Sequence, residues 1–123
     1  MTERTLSPYQ EAFQWIKRNP GTGSAQSLAK LLLSLWNDDF AFSYRECVDG
    51  LDEYRTAIAI RVVSHYARLG EDEELRHVGE DLYDSYPRLV ALAQALTQER
   101  KRLTDQWRSE DAAAEASEVQ GAK

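Results

Sequence analysis

The stretch Leu51-Asp-Glu-Tyr-Arg-Thr-Ala-Ile-Ala-Ile-Arg-Val-Val-Ser-His-Tyr-Ala-Arg-Leu-Gly70 decides the fold class. Its apolar side chains fall at Leu51, Tyr54, Ile58, Val62, Tyr66 and Leu69, the three- and four-residue spacing of one helix face. Ala57, Ile60 and Val63 add apolar surface beyond that stripe, which predicts a helix covered on more than one side and central to the fold. Asp52 is placed to cap its start, and Gly70 to end it in a left-handed conformation.

Working upstream, Leu28, Leu31, Leu32, Leu35 and Trp36 repeat at i, i+3, i+4, i+7 and i+8 and predict a second core helix over 25–36. Leu33 falls off that stripe, free to meet a neighbouring helix. Gly21-Thr-Gly-Ser24 before it reads as a turn with a cap. The phosphate-loop frame GxxxxGK[ST] is absent. Further upstream, Ser7-Pro8 opens a first helix carrying Tyr9, Phe13 and Ile16, and Asn19-Pro20-Gly21 ends it. Between the two core helices, Phe40, Phe42 and Tyr44 are expected to seal one end of the core. Ser43-Tyr-Arg-Glu46 has the pattern of a capping box.

Downstream, Leu75, Val78, Leu82 and Tyr83 mark a helix in which Gly79 is a weak point, glycine being less favourable there than alanine. Pro87 starts the last helix, amphipathic through Leu89, Leu92, Ala93 and Leu96 and polar thereafter until Leu103 and Trp107. The pattern predicts an all-α fold: a compact irregular bundle of five or six helices, one domain over 1–110, with core helices 24–36, 51–69 and 87–96. The Ala/Glu/Ser-rich segment 111–123 is expected to be a flexible tail.

The charge is uneven. Glu71, Asp72, Glu73, Glu74, Glu80, Asp81 and Asp84 stand against Arg76 alone, a balance equal to the net −6 of the whole 123-residue chain. An acidic body argues against direct nucleic-acid binding, because phosphate contacts need a basic surface. The single cysteine, Cys47, excludes an intrachain disulfide. The opening residues lack a basic region followed by an apolar core, and the longest apolar run is far shorter than a membrane span. A cytoplasmic protein that does not engage membrane is expected.

Reactive constellations are sparse. Cys47 reads as a small buried hydrophobe and not as a nucleophile. His65 lacks an acid or cysteine four residues away, and the consecutive acids 71–74 do not have the alternation of a calcium loop. No catalytic residue, cofactor or metal is therefore expected. The candidate interaction surfaces are the acidic residues Glu71, Asp72, Glu73, Glu74, Glu80, Asp81 and Asp84, and the Leu103/Trp107 end of the last helix, tryptophan being a favoured interface anchor.

Gly21-Thr-Gly-Ser-Ala-Gln26, the run from Leu31 to Trp36-Asn37, Phe42 and Leu51-Asp52 together resemble a family of uncharacterised small proteins carried by proteobacterial mobile elements. In that family a Thr-Gly-Gln turn precedes a Leu-rich helix ending in Trp-Asn; here Ser-Ala interrupts the turn. The resemblance spans about a quarter of the chain and implies a bacterial accessory or phage-like origin, with no activity attached. The leading expectation is a non-enzymatic module that binds another protein, with a homodimer through the last helix as an option. The alternative is an acidic, nucleic-acid-mimicking inhibitor of a DNA- or RNA-binding protein, of phage or anti-CRISPR type. An enzyme with an unrecognised site ranks third.

Overall fold

The computed structural model describes residues 6–121. Six α-helices follow one another: α1 (Pro8–Arg18), α2 (Gly23–Trp36), α3 (Tyr44–Val48), α4 (Glu53–Leu69), α5 (Glu73–Ser85) and α6 (Pro87–Gly121). A 3-10 turn, Asp38–Phe40, follows α2, and there is no strand among the described residues. The fold is an all-α bundle.

Local chemistry sets the helix starts. Ser7, Thr22, Ser43, Asp52 and Asp72 each accept a hydrogen bond from a backbone N–H three residues on. Ser43 and Glu46 complete the capping box. Gly70 ends α4 at a φ of 72°, where a side chain would be strained.

The hub of the bundle is α2, not α4. It touches α1, α3, α4, α5 and the 3-10 turn, and it buries Ala25, Ser27, Leu28, Ala29, Leu31, Leu32 and Leu33. By contrast α4 buries Ile58, Ala59 and Val62, and among the described residues α6 contributes Val90 and Ala93 to the core. Most of the remaining core comes from α1, with Tyr9, Ala12, Phe13 and Ile16, and from α5, with Leu75, Val78 and Leu82; Phe40, Phe42 and Cys47 complete it. The expected trio of core helices is thus corrected. The short amphipathic helices α1 and α5 contribute more buried side chains than α6, whose apolar stripe is only partly covered.

Phe40 and Phe42 are buried as expected, whereas Tyr44, the third ring of that run, is 74% exposed. Phe40 sits in an aromatic row with Trp36 and Tyr83, at centroid separations of 5.6 and 5.7 Å. Gly79 packs against that row at Trp36. Ser34 joins α2 to the following segment: its hydroxyl donates to the Lys30 carbonyl at 2.8 Å and accepts from the Phe42 N–H at 2.9 Å. Ser27, buried on α2, donates to the Asp49 carbonyl at 2.7 Å.

The last helix does not stop at the expected domain end, residue 110. It runs on to Gly121, where composition alone led to the expectation of a flexible tail. Between Leu103 and Gly121 there is no proline or internal glycine, and Ala, Glu and Gln are strong helix formers.

The turn from α4 into α5 is fastened to α1. The fully buried Tyr9 donates its hydroxyl hydrogen to the Gly70 carbonyl at 2.8 Å. Its ring meets His65 edge-on at 4.9 Å. Burial, reinforced by the charge of Asp72 and by Tyr66 and Glu71, pushes the Tyr9 hydroxyl from 10.0 up to about 12. The fold thus favours the protonated phenol, and the stability this gives is complete below the unfolded value and is lost as pH rises through the folded one. Alkaline titration is expected to remove on the order of 2 kcal/mol between pH about 10 and about 12. Urea midpoints measured across that window should show Tyr9→Phe with a much flatter profile than the parent chain; equal slopes would refute the assignment.

Candidate interaction surface

Two helices that rest on a common support without closing on each other leave a gap. Here α3 and α4 both lie against α2 and touch each other little. The chain reverses between them at Asp49-Gly50, where Gly50 has a φ of 71°. The resulting groove, of about 300 Å³, has Tyr44 and Val48 on the α3 side and Thr56, Ala59, Ile60 and Val63 on the α4 side.

Helical geometry explains why the groove is apolar. At about 100° per residue, Ile58 and Val62 share the side of α4 turned to the bundle, and Thr56, Ile60 and Val63 fall on the other side. The expected cover on that second side is absent: Ile60 is 59% and Val63 40% exposed, while Ile58 and Val62 are buried. The pattern Ile-Ala-Ile-Arg-Val-Val correctly marks two apolar sides, but it carries no information on how many of them the chain's own helices reach. Tyr44, Ile60 and Val63 are the site residues that sequence reading missed. The available signal was the surplus of apolar residues on α4 beyond a single stripe.

The acidic residues are distributed along the α4–α5 turn and the outer side of α5. Glu71, Glu73, Glu74, Glu80, Asp81 and Asp84 are exposed. Asp72 differs: its carboxylate accepts from the Leu75 N–H at 2.9 Å and lies 3.8 Å from His65 Nε2, so its main duty is structural. Glu73 lies 3.6 Å from His77 Nε2. Along α5, Glu73, Glu80 and Asp84 line up within about 40° of arc, with Glu74 and Asp81 forming an adjacent row. On a different helix, Leu103 is partly covered and Trp107 is 54% exposed.

Cys47 is buried, with its sulfur 3.9 Å from Ser34 Oγ. Desolvation is the largest influence on the thiol and pushes its pKa up, which favours the unreactive protonated form. Among the described residues, no three His, Cys, Asp or Glu side chains are grouped so as to hold a metal ion. None of the described helices is long and apolar enough to cross a membrane.

The chain matches no family model, no curated protein and no solved structure.

Proposed function

We propose that this chain is a non-enzymatic protein-interaction module, and that its principal contact surface is the groove between α3 and α4. The observation that carries this reading is the convergence of Tyr44, Ile60 and Val63, all large, apolar and exposed, on one concave surface. Contiguous apolar exposure of this kind costs solubility and marks places where another molecule sits. The fitting partner is an apolar segment of another protein, held mainly by burial of its side chains and not by charge. The resemblance of residues 21–52 supports assignment to a bacterium or a mobile element.

The test is capture from a bacterial lysate on the immobilised parent chain and on an Ile60→Asp/Val63→Asp variant, each at low and high salt. Both side chains face water, so the variant should melt within a few degrees of the parent. A protein retained by the parent at high salt and lost from the variant is the expected outcome. Identical capture by both chains overturns the reading.

The acidic rows of α5 favour a second reading, in which the carboxylates occupy a basic groove on a nucleic-acid-binding protein in place of phosphates. Glu80, Asp81 and Asp84 have no ion-pair partner among the described residues. Capture that disappears at high salt and on reversal of Glu73, Glu74 and Glu80, while surviving the Ile60/Val63 changes, selects this inhibitor.

A further inference from the structure

The C-terminal ends of α1 and α5 border a common cavity of about 360 Å³. Its floor belongs to the core: Phe13 and Ile16 from α1 and Leu82 from α5 are all buried. Part of its rim is stiff, because Pro20 has its φ fixed by its ring and Gly21 turns the chain at a φ of 81°. Tyr86, partly packed on the core, forms another part of the wall. A concave apolar site with a few polar groups at its edge is the usual form of a small-molecule site, and this volume lies at the lower end of the common range of about 300–1,000 Å³.

The polar side chains of the wall say what kind of molecule fits. They are Lys17, Ser85 and Tyr86, and each can donate a hydrogen bond. The Lys17 ammonium lies over the Phe13 ring, 5.1 Å from its centroid, which holds the charge beside the floor. Among the described residues Lys17 has no ion-pair partner. Burial alone raises the pKa of the Tyr86 hydroxyl. Ser85 and Tyr86 also border a second hollow, where the charged residue is Arg88. Among the described residues no Asp or Glu lines either space, in a chain of 21 acids and 15 bases. A cationic ligand would meet like charge here, and a purely apolar one would leave the donors unanswered. A flat ring bearing a carboxylate answers both the floor and the wall.

We propose that the cavity between α1 and α5 binds a small aromatic carboxylate, its ring on Phe13, Ile16 and Leu82 and its carboxylate paired with Lys17. The volume suits one ring or two fused rings. Lys17 also complements the partial negative charge at the end of α1, a duty that bears on stability and not on the affinity for a carboxylate. The α3–α4 groove shares no residue with this cavity, so the ligand stands or falls separately from the proposed function.

The experiment is a titration of the full chain with 2-naphthoate, followed by the backbone amide shifts in proton–nitrogen NMR spectra, with neutral 2-naphthamide as the control ligand. Naphthoate should move the Gly21, Leu82 and Tyr86 amides along one saturable curve. Naphthamide should bind the same place about fivefold more weakly, the worth of one exposed charge pair. Lys17→Gln should weaken naphthoate by about the same factor and leave naphthamide unchanged, so that the two ligands become equal. Ser85 is exposed at the end of α5, and Ser85→Tyr should fill the mouth of the cavity and weaken both ligands. Thermal melting of each variant checks that the bundle is intact. Absence of a saturable shift up to about 10 mM naphthoate overturns the proposal. So do shifts centred on the α3–α4 groove, and so does a Lys17→Gln chain that melts lower yet binds naphthoate as the parent does, the result expected if Lys17 serves the helix end alone.

Discussion

Replacing Gly79 with alanine is expected to destabilise the protein by roughly 1–3 kcal/mol, although the change should favour an isolated helix by up to about 1 kcal/mol. A Cβ built on Gly79 would lie well inside 3.0 Å of Trp36 Cγ, Cδ2 and Cε3. Those are atoms at the root of a large ring, and the ring cannot swing away freely because it stacks on Phe40, which in turn meets Tyr83. Admitting the methyl group therefore means moving the aromatic row or pushing α5 away from α2, and both disturb the packing of Leu75, Val78 and Leu82. The melting temperature should fall by about 5–15 °C. The decisive comparison is a double-mutant cycle. In a Trp36→Ala background the obstruction is gone, and Gly79→Ala should become neutral or stabilising. If the alanine is equally harmful with and without the indole, close approach of α5 to Trp36 is not the reason for the glycine.

That glycine also shows where sequence reading reaches its limit. Within α5 it reads as a local weakness, because propensity concerns one helix at a time. Its value emerges only when α2 is set alongside. The same division runs through the rest of the chain. Helix class and several boundaries were legible because periodicity and caps are local: Ser7, Ser43, Asp52 and Gly70 act as their residue types and positions suggest. Mutual arrangement was not legible. The apolar surplus of Ile60 and Val63 looked like additional core, yet among the described residues α3 only flanks that side of α4 and leaves both side chains exposed. The alanine- and glutamate-rich end looked unstructured because it has little to bury, while its residues individually favour the helix that α6 continues. Of the expected contact surfaces, the acidic residues and Trp107 are exposed, apart from the half-covered Asp72. The apolar groove had no counterpart among them.

A pair of leucines on α2 gives the sharpest test of this distinction. A single-stripe reading assigns Leu35 to the core and leaves Leu33 outside it. In the folded chain Leu33 is fully buried, and Leu35 is only partly covered near the end of the helix. Because five elements surround α2, its buried arc extends well past one stripe and takes in Leu33. Leu33→Ala should therefore cost about 2–5 kcal/mol, the range for emptying an enclosed leucine site, since the side chain leaves a cavity that the surrounding helices fill only in part. Leu35→Ala should cost about 1 kcal/mol, because the removed methyl groups were already partly hydrated and water can fill the gap. Urea denaturation with a shared slope places the two midpoints directly on one scale. Against the roughly 5–15 kcal/mol that hold a domain of this size together, the first change takes a large share and the second a small one. The opposite order would mean that α2 presents a single face to its neighbours, and its place at the centre of the bundle would have to be given up.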